Sequence, residues 1–212
     1  MEQRTVTRAY NFELRAENNE KNGDHIEGRP IVYDSRTDLG YFDEIIERGA
    51  LDDTDLKDVR FLVNHDTSMI PLARSRRNNE NSTMQMTVDK DGMGIRVNLD
   101  TENNTDARNL YSAIKRGDIT GMSFMFSIDS EEWENLESDH PTRRIKKIGE
   151  VLEVSAVTFP AYESTEISAR AKETLDSVKA TLDNVRAQSV DTDTDKKDLE
   201  LEKLKAHYLY DI

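Results

Sequence analysis

Acyl-transfer chemistry needs a nucleophile, a base within hydrogen-bond reach and a group that orients the base. The choice narrows at once, because the chain contains no cysteine. Thiolate nucleophiles, disulfides and the common structural zinc sites are excluded, which leaves an oxygen or an amine to attack. Four histidines are the conventional bases. His25 falls in a polar loop region, His140 precedes Pro141 after an acidic stretch and His207 lies in the tail, so these three read as solvated surface residues. His65 alone closes an apolar segment, Val59-Arg60-Phe61-Leu62-Val63, and beside Asn64 and Asp66 it suits either a base or a capped loop residue. Ser123 stands among Met122, Phe124, Met125 and Phe126, as packing filler or as an exposed nucleophile. Glu153 interrupts an apolar run and must face solvent or find a hydrogen-bonding partner, for which a histidine would serve.

The elements that must position these residues are mostly strands. Arg4 to Ala16 alternates, with Val6, Tyr10, Phe12 and Leu14 on one face, and the polar stretch Glu17 to Asp24 turns the chain into Ile31-Val32-Tyr33 as a hairpin-like pair. The segments around Met86 and Val97 flank Asp89-Lys90-Asp91-Gly92, the clearest hairpin in the sequence. Gly49 breaks the connection through Ile45, Ile46 and Leu51, where Asp52 or Thr54 would cap a one-turn helix. Thr105 is placed to cap a helix carrying Ala107, Leu110, Ala113 and Ile114, with Gly117 to end it. Ile119 to Ile128 then reads as a strand with Ser123 and Met125 on the face opposite Phe124 and Phe126. A further strand runs from the basic Arg143 to Lys147 segment through Glu153 to Phe159-Pro160.

Beyond about Ser164, Leu175, Val178, Leu182 and Val185 recur at helical spacing, and a second helical stretch carries Leu199, Leu204 and Tyr208. Neither helix has apolar surface for a core of its own. Between them, Asp191-Thr192-Asp193-Thr194-Asp195 imitates the start of a calcium loop. Lys196 stands where such loops need glycine, so a solvated linker is the better reading and no metal site is expected.

Composition bounds the partners. With Lys+Arg 29 against Asp+Glu 43, a net charge of -14 repels a phosphate backbone, so nucleic acid is not an expected partner. No apolar run approaches the roughly 20 residues that span a bilayer, and the first residues lack a signal-peptide core, so a soluble, cytosolic protein without membrane contact is expected.

Taken in order, Asn64-His65-Asp66, Gly117-Asp118-Ile119-Thr120-Gly121-Met122-Ser123-Phe124 and Glu153-Val154-Ser155-Ala156-Val157-Thr158-Phe159-Pro160-Ala161-Tyr162 resemble the prohead proteases of tailed bacteriophages. Gly28-Arg29-Pro30-Ile31-Val32-Tyr33 and the segment from Phe42 to Leu51 extend the likeness over roughly residues 4 to 170. The family is similar in fold to the herpesvirus maturation proteases. The resemblance therefore implies an α+β, mostly β architecture: a closed or partly closed β-barrel with surrounding helices over residues 1–165, followed by a helical tail over 166–212.

It also implies a serine endopeptidase with Ser123 as nucleophile and His65 as general base. The herpesvirus relatives use a second histidine as third member, which this chain does not offer at a comparable place after Ser123. Glu153, 30 positions on, takes that role, with Asp66 a weaker competitor because it adjoins the base. Backbone N–H groups of Ala161 or Tyr162 are candidate oxyanion donors. The implied substrates are the phage scaffold, the scaffold-like part of the major capsid protein and the protease itself, cut inside the procapsid in the host cytoplasm, without a cofactor. The tail would bind scaffold or mediate self-association, with a cleavage site between barrel and tail. A catalytically inactive β-barrel scaffold or assembly adaptor is the competing expectation. An esterase or amidase acting on small acyl substrates through the same residues is a third.

Overall fold

A computed structural model of the chain describes residues 4–10, 14–19, 23–159 and 171–184. The chain divides into two units, Met1–Ser168 and Ala169–Ile212. In the second, the described residues 171–184 form a single helix, α2, on which Leu175 of the apolar stripe and Ala171 are buried.

The first unit consists of strands β1 (Arg4–Tyr10), β2 (Leu14–Asn19), β3 (Gly23–Val32), β4 (Arg36–Asp38), β5 (Asp43–Ile46), β6 (Asp58–Val63), β7 (Ala73–Arg76), β8 (Met84–Asp89) and β9 (Gly92–Asn98). Helix α1 (Thr105–Arg116) and the long strands β10 (Gly121–Glu134) and β11 (Thr142–Val157) follow. Two sheets result. One has seven strands in the order β1-β10-β11-β5-β4, with β6 pairing β11 and β7; the other is β2-β3-β9-β8. Their inner faces share one core, in which Phe61, Phe124, Phe126 and Val154 of the first sheet meet Ile26, Met84, Met93 and Ile95 of the second.

Strand β11 organises the larger sheet. It pairs antiparallel with β10 on one side and parallel on the other, first with β5 through Thr142 to Ile145 and then with β6 through Glu153 to Ala156. Being flanked on both sides, it carries a nearly continuous buried run rather than the polar alternation of an edge strand.

The mostly β, α+β class is as expected, but neither sheet closes, so the barrel of herpesvirus-protease type is replaced by two open sheets. Closure needs edge strands to exchange backbone hydrogen bonds. Where β7 and β8 approach, the Thr83 side chain takes that place: Arg74 donates its backbone N–H to Thr83 Oγ1 at 2.9 Å, while the Thr83 carbonyl already accepts from Asn98 N at 2.8 Å. The ring of helices expected around the barrel is α1 alone among the described residues of this unit.

Several local expectations also change. Arg4 to Ala16 is not one strand: β1 joins β10 in the first sheet and β2 joins β3 in the second, so its two halves lie in different sheets. The one-turn helix near Asp52 is a series of turns, with Thr54 Oγ1 donating to the Ile148 carbonyl at 2.8 Å. Asn104, rather than Thr105, caps α1, its side chain accepting from the backbone N–H groups of Asp106 and Ala107. Gly117 ends the helix with φ 80°, as its place in the sequence suggested.

The β8–β9 hairpin forms as read, and Gly92 at its turn has φ 135°. A Cβ there would lie 2.0 Å from the Ile31 carbonyl oxygen.

Candidate active site

Strand β6 runs parallel to the C-terminal half of β11 and ends one residue before the chain turns sharply. Asn64 and His65 both adopt left-handed backbone, with φ 51° and 59°. Non-glycine residues pay for this conformation, least of all asparagine. The turn is tied to β11 by several bonds. Asn64 donates its N–H to the Ala156 carbonyl at 2.9 Å, its Oδ1 accepts from Thr158 N at 2.9 Å, and its Nδ2 donates to Thr158 Oγ1 at 3.1 Å.

Held this way, His65 places Nδ1 2.6 Å from Glu153 Oε1. Glu153 is buried, and its second oxygen accepts from Ser155 Oγ at 2.6 Å, while Ser155 Oγ accepts the His65 backbone N–H at 3.1 Å. With Glu153 ionised and the imidazole neutral, the carboxylate accepts from Nδ1–H and Nε2 carries the lone pair. That is the tautomer a general base needs.

Ser123 lies on β10 directly opposite Ser155, and the two share the face turned away from Phe124 and Phe126. It is 0% exposed. Its hydroxyl donates to the Arg8 carbonyl at 2.8 Å, and Arg8 belongs to β1, which flanks β10 on the side away from β11. His65 and Glu153 are therefore brought together, Ser123 is brought one strand away, and its hydroxyl bonds toward β1 rather than to the imidazole. Asp66 does not join the network; it bonds Ser68, whose N–H and hydroxyl hold its carboxyl below the usual carboxylate range. Ala161 and Tyr162 lie outside the described residues.

The loops leaving β6 and β11 expose apolar side chains, Ile70 at 85% and Phe159 at 74%, beside the end of the sheet that carries His65. Phe126 is in the core, and Trp133 packs edge-on against Phe42 and beside the Arg143 guanidinium. Neither belongs to the His65 network.

Sequence reasoning missed Ser155, although Glu153 and Ser155 at a spacing of two must share a strand face. It also missed a buried ion network. Glu44 receives a bidentate Arg8 at 2.5 and 2.7 Å and Arg143 at 3.3 Å, and Arg143 in turn bonds Glu131. Burial pushes the Glu44 carboxyl up, and the two guanidinium groups more than offset this and hold it below its ordinary value.

His25, expected at the surface, is buried on β3. Its Nδ1 bonds the Gly23 carbonyl, and Nε2 lies 3.8 and 3.7 Å from Glu17 and Glu27. His140 sits by Asp38 and Asp43, and His207 is outside the described residues. Glu17-His25-Glu27 and Asp38-Asp43-His140 are the groups among the described residues with metal-ligand spacing, and neither includes a member of the His65 network. No helix of the described residues is long and apolar enough to cross a membrane.

The chain is similar to the solved structure of the bacteriophage T4 capsid assembly protease, gp21, at 13% identity and a TM-score of 0.46, over 76% of this chain and 100% of that one. No curated protein sequence matches it. The family model described as caudovirus prohead serine protease matches residues 10–181, and by that match the chain belongs to this family, the serine endopeptidases of capsid maturation in tailed bacteriophages.

Proposed function

We propose that Ser123, His65 and Glu153 form the catalytic triad of this protease. The observation that carries the reading is the 2.6 Å bond from His65 Nδ1 to a buried Glu153, on a strand whose Ser155, two residues on, lies opposite Ser123. The Ser123 hydroxyl turns about its Cα–Cβ bond from the Arg8 carbonyl toward Nε2. Oγ then attacks the scissile carbonyl carbon while Nε2 takes its proton, and Glu153 stabilises the imidazolium. Collapse of the tetrahedral intermediate breaks the C–N bond, and the imidazolium gives its proton to the leaving amine. A water, deprotonated by the same nitrogen, releases the new carboxyl terminus. The backbone N–H groups of Ala161 or Tyr162 are assigned to the oxyanion.

The substrates are the scaffold, the scaffold-like segment of the major capsid protein and the protease itself, cut inside the procapsid in the host cytoplasm. Residues 1–165 form the protease domain. The tail, 166–212, binds scaffold or self-associates, and a cut between the two is one of the maturation events.

A second reading, a non-catalytic assembly protein, is favoured by one observation: the Ser123 hydroxyl is engaged with Arg8 and not with a base. Fluorophosphonate treatment followed by intact-mass analysis separates the two. One adduct on the wild type, mapped to Ser123 and absent from Ser123→Ala and His65→Ala, is the expected result. No adduct in the free protein or in assembled procapsids overturns the catalytic reading.

A further inference from the structure

The Ser155 hydroxyl has one proton and two lone pairs, and both of its bonds go to the His65–Glu153 pair. It donates to Glu153 Oε2 at 2.6 Å and accepts the backbone N–H of His65 at 3.1 Å. The side chain is fully buried, so water does not compete for either bond. The first bond fixes the carboxylate rotation that turns Oε1 to Nδ1. The second fixes the backbone of a residue in left-handed conformation, one of two in succession, which persists only where the surroundings hold it. The bonds of Asn64 to Ala156 and Thr158 hold the turn as well, but they do not touch the carboxylate.

Two other roles fit less well. A nucleophile must hand its proton to the base, whereas the proton of Ser155 points at a carboxylate and its oxygen meets the histidine at the main chain, not the ring. A mere space-filler in this buried run would be served by the alanine or valine of its neighbours Ala156 and Val154, without a polar group to satisfy.

We infer that Ser155 is a positioning residue of the hydrolytic reaction, a single hydroxyl that aligns the general base and the carboxylate behind it. This rests on His65 and Glu153 acting as base and orienting group.

The test uses the full-length protein with Ser155→Ala, Ser155→Thr and Ser155→Cys beside Ser123→Ala, His65→Ala and Glu153→Gln. Two readouts are needed: the rate of fluorophosphonate labelling, and the far-downfield proton resonance of the His65 Nδ1–H bond. With the melting temperature showing a folded chain, Ser155→Ala is expected to label roughly 10²-fold more slowly and to lose the resonance, because misplacement of a catalytic group on the ångström scale costs about that much. Threonine, which keeps the hydroxyl, restores both. If the alanine variant does not fold, cysteine, nearly isosteric but a weak donor, carries the same expectation.

A Ser155→Ala protein with wild-type labelling and an intact resonance, while His65→Ala is dead, overturns the positioning role and leaves the base reading standing. Unchanged labelling in His65→Ala and Glu153→Gln overturns the base reading itself. An adduct mapped to Ser155 overturns the inference by making it the nucleophile. The resonance decides the role of Ser155 even where the free protein labels slowly.

Discussion

The imidazole of His65 is bonded through Nδ1, and the carboxylate behind it has both oxygens bonded. In the proposed triad such a pair would lose little on reaction, because the groups that stabilise an imidazolium are in place before the proton arrives. Glu153→Gln tests this at the scale of one atom. The amide keeps the shape but offers Nδ1 a group that no longer has to accept, so the wrong tautomer becomes competitive. A fall of roughly 10²- to 10⁴-fold in kcat with KM nearly unchanged is expected from steady-state cleavage of a capsid-derived peptide. A variant within twofold of wild type would assign Glu153 to structure alone. The sequence showed Glu153 as a carboxylate needing a partner. That the partner is His65 depends on β6 and β11 lying side by side in parallel, a pairing between segments about 90 residues apart.

At the scale of elements, the site depends on strands that keep their register. Residues with a side-chain period of two display Ser123 and Ser155 to each other only while β10 and β11 stay aligned, since a slip of one residue would turn Ser123 into the core and Phe124 out of it. The companion sheet is pinned at the β8–β9 turn, where Gly92 combines φ 135° with a close approach to the Ile31 carbonyl. Gly92→Ala is expected to destabilise the protein by about 2 kcal/mol or more, since strained backbone and a clash with main chain add. Urea unfolding reads this directly, and an unchanged midpoint would show that β3 and β9 separate at little cost. Alternation, turn residues and the Gly117 cap made β8, β9 and α1 legible in advance. The split of Arg4–Ala16 into β1 and β2 was not, because both halves alternate acceptably and only their distant partners tell them apart.

Across the whole unit, the Arg8–Glu44–Arg143–Glu131 network ties four strands, β1, β5, β11 and β10, through the buried charges of Arg8, Glu44 and Arg143 and the part-buried Glu131. Breaking a buried pair by removing one partner leaves the other charge uncompensated and costs roughly 3–5 kcal/mol. Glu44→Gln, which takes from Arg8 and Arg143 the carboxylate they share, is expected to fall in that range by chemical denaturation. The pH dependence follows from the depressed carboxyl. Its stabilising contribution is present in full above the ordinary carboxylate pKa and is lost as the pH falls through the lower folded value. Circular dichroism during acid titration is expected to show wild-type stability dropping over that acid window and a flatter curve in Glu44→Gln. Parallel curves would mean that other carboxylates govern acid unfolding. The same network fixes β1, whose Arg8 carbonyl holds the Ser123 hydroxyl, so the resting position of the proposed nucleophile is linked to a charge cluster.

Side-chain period and local chemistry are properties of short segments, and they put Ser123 on the face opposite Phe124 and Phe126, marked Glu153 as a carboxylate that faces solvent or needs a partner, and set His65 at a strand end. The motif order supplied the family. Tertiary structure decided what depends on residues far apart in sequence: two open sheets rather than a barrel, the burial of His25, the meeting of His65 with Glu153 through Ser155, and the direction of the Ser123 hydroxyl. Strand pairing partners are chosen by the packing of the whole core and a hydroxyl rotor by the nearest acceptor. Neither is encoded within the few residues that a periodicity spans.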